Sequence, residues 1–149
     1  MLRQTPYDDL IMDHIKNARN YRTLEGADRR SHGSNPLCGD EVDIYLKMDH
    51  DRIDDAAFQC SCCGISMASA SVMTESVKGL SAVEANARAG AFIALIDARV
   101  DGNAEAADDL QRALLTTVRE FPTRARCAAL PWITLQAALA NRGEAHCAP

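Results

Sequence analysis

Apolar positions along the chain change period several times, and each change marks an element. Residues 7–17, YDDLIMDHIKN, put Tyr7, Leu10, Ile11, His14 and Ile15 at helical spacing, which predicts an opening amphipathic helix. Asp8 and Asp9 stand at its start, where the helix dipole favours negative charge. Val42, Ile44, Leu46 and Met48 alternate with Glu41, Asp43, Tyr45 and Lys47, the two-residue period of a strand with one buried face. After the polar turn DHDR, residues 53–59 complete an antiparallel hairpin, with a cysteine cluster just beyond it. Over 64–78, Ile65, Ala68, Val72 and Val77 among alanines and serines predict a closely packed helix that stops at Gly79. Ser81 with Glu84 three residues on is a capping-box pattern, and it opens a helix running to Arg99. A further helix is expected over 104–120, with Leu110, Leu114 and Val118 as its stripe, until Phe121-Pro122 breaks it. The last helix is expected to follow Cys127, with Pro131 in its first turn and Leu130, Ile133, Leu135, Ala138 and Leu139 as apolar surface.

The rest is polar. Residues 18–35 read as loop with at best one weak strand, and 143–149 as a flexible tail. The sum is an α+β domain, a small antiparallel sheet of about three strands packed against about five helices. With no repeat and no composition break, 1–149 is expected to form one domain. A net charge of −5 argues against general nucleic-acid binding, which needs clustered Lys and Arg. The N-terminal MLRQTPYDDLIMDH is acidic where a signal peptide carries its apolar core, and no apolar run reaches membrane length. The expectation is a cytoplasmic protein that binds neither nucleic acid nor membrane.

The six cysteines are Cys38, Cys60, Cys62, Cys63, Cys127 and Cys147. In a reducing compartment such a set points to metal binding or catalysis before disulfides. Sulfur occurs at three element boundaries: NPLCGD at 35–40, CSCCG at 60–64 and RARCAAL at 124–130. Gly39 permits a sharp bend that lets Cys38 and Asp40 face one point. Cys63 and Cys127, each expected just before a helix, lie where free N–H groups favour a thiolate, and Arg124 and Arg126 push Cys127 the same way. Three thiolates and a carboxylate suit Zn²⁺. The residues alone leave open a second reading, in which Cys127 is a small buried apolar residue and Cys38 a turn residue.

The motifs LIMDHIKNARN at 10–20, NPLCGD at 35–40, CGISMASASVMTESVKG at 63–79 and RARCAALPW at 124–132 occur in that order over nearly the whole chain. In this the sequence resembles the scaffold family of iron–sulfur cluster assembly: IscU, SufU and the N-terminal part of NifU. The resemblance implies Cys38, Asp40, Cys63 and Cys127 as ligands of Zn²⁺, or of iron or a nascent [2Fe–2S] cluster. Arg126 stands where IscU has histidine, the Cys63–Cys127 interval of 127 − 63 = 64 residues is longer than in IscU, and RxxCAxLxW is similar to SufU. The SufU branch implies a zinc-binding sulfur acceptor for a SufS-type cysteine desulfurase, with Cys38 as persulfide carrier and downstream assembly or carrier proteins as further partners. A scaffold that builds and passes on a [2Fe–2S] cluster is the alternative, and weak homo-oligomerisation is compatible with either. SufU-like sequences have glycine where Cys60 and Cys62 stand, so these two thiols, auxiliary to the site, read first as tolerated replacements. GADRRSHGS is more polar than the strand the family has there.

Two other classes compete. Cys60-Ser-Cys-Cys63 is formally a CxxC ahead of a helix, the pattern of thiol–disulfide oxidoreductases, without the parallel βαβ setting those enzymes use. A closed structural zinc site is the other. His14 on the inner helix face, His32 and His50 in polar turns, and His146 near the end do not displace the Cys-Asp set. Met12, Met67 and Met73 read as core filling, and Asp54, Asp55, Asp108 and Asp109 as solvated faces or helix-start charges.

Overall fold

The computed structural model describes residues 6–36, 39–98 and 124–146, together with Gln111, Leu114, Leu115 and Val118. Helix α1, Pro6–Lys16, is followed by strands β1, Arg29–Asn35, β2, Asp40–Asp49, and β3, Arg52–Ser61. Helices α2, Gly64–Val77, and α3, Ala82–Ala98, come next, then α4, Ala125–Leu139, and a short β4, Glu144–His146. The four singly described positions are helical and buried, in the 104–120 region where a helix is expected; Leu110 lies outside the described residues. None of the described helices is long and apolar enough to cross a membrane.

The α+β architecture is as expected, with one strand more. The sheet has four strands in the order β3-β2-β1-β4. The β2–β3 hairpin forms on the alternation read from it: Val42, Ile44 and Leu46 are fully buried, while Glu41 and Lys47 are exposed. The strand register shifts between Lys47 and Met48, and His50 takes a left-handed φ of 58° in the turn. β3 extends two residues past the expected end, so Cys60 is a strand residue paired with Val42.

Two polar stretches are strands after all. β1 pairs antiparallel with β2 along its whole length. Its inward residues are Ser31, Gly33 and Asn35, small or polar because α4 packs directly on them. A Cβ at Gly33 would fall on the Thr134 hydroxyl. The segment expected to be a flexible tail contributes β4, which pairs in parallel with β1 from His32↔Glu144 to Ser34↔His146.

The small-residue run of α2 is explained by burial on nearly every side, from Ser66 to Val77. A buried hydroxyl needs a partner, and most find one. Ser69 donates to the Ala128 carbonyl at 2.6 Å and accepts the Trp132 indole N–H at 2.9 Å. Ser71 accepts the Arg19 N–H at 2.8 Å and lies 2.7 Å from His14 Nδ1. Gly79, with φ of +84°, follows the end of α2. The capping box of α3 is present: the Ser81 N–H donates to Glu84 Oε1 and the Glu84 N–H to Ser81 Oγ, both at 3.1 Å. α4 begins two residues before Cys127 rather than after it, which puts Pro131 inside the helix. There Pro131 has no N–H to give the carbonyl four residues back. α4 packs on β1 and β2 and against α2 and α3, with Trp132, Leu130 and Leu135 fully buried and Phe92 stacked obliquely on Trp132 at 4.8 Å.

Candidate metal centre

Three elements deliver one side chain each to a common point. Asp40 opens β2 directly after Gly39, whose φ of +74° is open to glycine at little cost. The Gly39 N–H donates to the Asn35 carbonyl at 2.9 Å, which closes the β1–β2 connection. Cys63 is the N-cap of α2, with extended backbone at φ −72° and ψ 167°. Cys127 lies in the first turn of α4 and is 1% exposed. One donor atom from each of Asp40, Cys63 and Cys127 lies within 4.8 Å of the other two. Cys38 lies outside the described residues, as does Cys147.

The electrostatics suit a bound cation. Asp40 is buried, and its Oδ1 accepts the Cys63 N–H at 3.1 Å. Its Oδ2 is buried without a hydrogen-bond partner, a costly state for a carboxylate oxygen. The Cys63 thiol is lowered to about 6, chiefly by hydrogen bonding with Cys127 and further by the Ser66 and Ile65 N–H groups at the helix start, against burial and the nearby Asp40 charge. Arg124 hydrogen-bonds both thiols, and their developing negative charge raises its pKa. Arg126 is half-buried on the same turn. Two sulfurs and an oxygen with no other partner fit a thiophilic divalent metal such as Zn²⁺, and the Arg124 charge, though it repels a cation, favours the thiolate form of the sulfur ligands.

The remaining candidates fall elsewhere. Cys60 and Cys62 are joined in a disulfide with Cα atoms 5.5 Å apart, so the bridge is not the Cys60–Cys63 pair that the CxxC reading requires. His14 is buried against Ser71. His32 lies on β1, not in a turn, 3.0 Å from Asp43 and 3.2 Å from Glu41, while His50 is exposed in the hairpin turn. Asp54 is exposed, Asp55 pairs with Arg22, Met73 is fully buried and Met12 is 46% exposed. His146 side-chain placement, Asp108 and Asp109 lie outside what is described. The orphaned Oδ2 and the disulfide carry no local sequence signal, since each depends on what the fold brings alongside.

The NifU-like N terminal domain matches residues 6–128. The chain is 35% identical to the zinc-dependent sulfurtransferase SufU of Bacillus subtilis (strain 168) over 137 residues, 92% of this chain and 91% of that protein. It is also 35% identical to the iron–sulfur cluster assembly scaffold protein IscU of Streptococcus pyogenes serotype M1 over 141 residues, 94% and 86% of the two chains. A crystal structure from Fervidobacterium islandicum AW-1, assigned to the scaffold proteins of the SUF system, superposes with a TM-score of 0.78 at 31% identity, covering 88% of this chain and 94% of that one. The chain therefore belongs to the family of NifU-like N-terminal domains.

Proposed function

We propose that this protein serves iron–sulfur cluster assembly as a zinc-binding sulfur acceptor, taking persulfide sulfur from a cysteine desulfurase in the cytoplasm. The observation that carries the reading is the meeting of Asp40, Cys63 and Cys127 around a buried carboxylate oxygen with no other partner. Cys38, two residues before Asp40, supplies the fourth ligand and the acceptor sulfur. When bound, zinc keeps its thiolate ligands deprotonated at neutral pH. In transfer, the Cys38 thiolate attacks the outer sulfur of the desulfurase Cys–S–SH; the new S–S bond forms on Cys38 and the desulfurase thiolate leaves. The Cys63 N–H holds Asp40 Oδ1, and the Arg124 guanidinium offsets negative charge on the thiols.

The test combines elemental analysis of freshly isolated protein with mass spectrometry after incubation with a cysteine desulfurase and cysteine. Zinc, together with one added sulfur on wild-type and Cys147→Ser protein but none on Cys38→Ser, supports the reading; equal sulfuration of the two variants overturns it. Iron with acid-labile sulfide in place of zinc supports the scaffold alternative, which the IscU relative favours.

A further inference from the structure

We propose that Cys60 and Cys62 form a built-in two-electron reductant that releases sulfur delivered to the site as sulfide, the disulfide being its spent form. The proposal deepens, and rests on, the sulfur-acceptor reading. Cys60 is the last residue but one of β3 and Cys62 the first residue past its end, and the two are bonded to each other. Cys60 pairs with Val42 and Ser61 with Glu41, next to Asp40, which itself pairs with Asn35. The bridge is therefore at the end of the sheet where the β1–β2 connection, which includes Cys38, enters β2. Cys62 is also the chain neighbour of Cys63, whose N–H holds Asp40.

The bridge is reachable. Cys60 and Cys62 are half-buried and Ser61 between them is exposed, so the bridge is not sealed in the core, and access is one of the conditions for thiol–disulfide exchange. Met67 Sδ, 3.9 Å from Cys60 Sγ, lines an open cleft of about 310 Å³ with Tyr21, whose hydroxyl donates to the Cys60 carbonyl at 3.1 Å. Neither cysteine is among the three described residues that meet at the candidate metal centre.

The chemistry balances without another reactant. The reduced Cys62 thiolate attacks the outer sulfur of Cys38–S–SH, giving Cys62–S–SH and the Cys38 thiolate. The Cys60 thiolate then attacks the Cys62 sulfur; the Cys60–Cys62 bond forms and HS⁻ leaves. The sulfane sulfur gains two electrons and the two thiols lose them. A dithiol reductant restores the pair, leaving as its own disulfide.

The full chain is reduced, freed of small thiols and loaded anaerobically by a desulfurase with limiting cysteine. Sulfide is expected to appear one-for-one with the Cys60–Cys62 disulfide, read as the loss of two hydrogens from the peptide that carries both. Cys60→Ser and Cys62→Ser, with unchanged thermal unfolding midpoints, are expected to release sulfide about tenfold more slowly or worse and to retain sulfane sulfur. Release at the wild-type rate in either variant, or release without a new disulfide, overturns the proposal. If the desulfurase loads no sulfur at all, the acceptor reading is what has failed. Glutathione persulfide as donor then decides this proposal alone, faster release by wild type than by Cys60→Ser upholding it and equal rates overturning it.

Discussion

Asp40 uses its two oxygens differently: Oδ1 caps the start of α2 through the Cys63 N–H, and Oδ2 is buried with no partner. Histidines divide in a similar way. His14 is 3% exposed, and burial together with the Arg19 charge lowers its pKa from 6.5. Because Ser71 Oγ already accepts the Arg19 N–H, its own hydrogen is free to donate to His14 Nδ1, which must then be unprotonated. The His14 contribution to stability is therefore full above the ordinary imidazole value and is lost as the pH falls below it towards the lowered folded-state value. His32 has the opposite sign. Hydrogen bonding to Asp43 raises its pKa from 6.5, opposed by partial burial, so its stabilisation is present below the ordinary value and fades as the pH rises through the raised one. Urea midpoints at about pH 7.5 and about pH 5.5 should show less acid destabilisation in His14→Gln than in wild type, and more in His32→Gln. A steeper acid loss in His14→Gln would contradict the assignment.

At the level of elements, the hairpin, the small-residue helix and the capping box could be read from the sequence, because each puts its apolar or capping signal within a few residues. β1 could not. Its buried face of Ser31, Gly33 and Asn35 is polar in composition, and its reason to be inside is a helix about a hundred residues further along the chain. β4 was hidden likewise, as a three-residue strand satisfied only by β1. Thr134, whose hydroxyl donates to the Leu130 carbonyl at 2.7 Å, leaves room for hydrogen alone at Gly33. Gly33→Ala should therefore cost about 1–3 kcal/mol by overpacking, measured by chemical denaturation. Combined with Thr134→Ala, which removes the obstructing hydroxyl, it should cost less than the sum of the two single changes. Strict additivity would show that the two elements do not press on each other there.

Across the whole molecule the candidate site is a crosslink between distant parts. Asp40 and Cys63 are 23 residues apart, and Cys63 and Cys127 are 127 − 63 = 64 apart, yet their donor atoms converge where the start of β2 meets the N-terminal ends of α2 and α4. Cys63 and Asp40 were legible as boundary residues. That Cys127 lies inside the first turn of α4 was not, because Pro131 reads locally as a helix start. An ion held by all three elements binds the folded chain and not the unfolded one, so it should stabilise the whole domain by RT ln(1 + [L]/Kd), about 2.7 kcal/mol at a hundredfold excess of free metal over Kd. Thermal unfolding of the full chain should move to higher temperature with zinc and to lower temperature with a strong chelator. Asp40→Asn keeps an oxygen to accept the Cys63 N–H but removes the charge, so it should fold while responding to zinc only at markedly higher concentration. An identical zinc response in wild type and Asp40→Asn would remove Asp40 from the ligand set, and no response in the wild type would refute the metal centre itself.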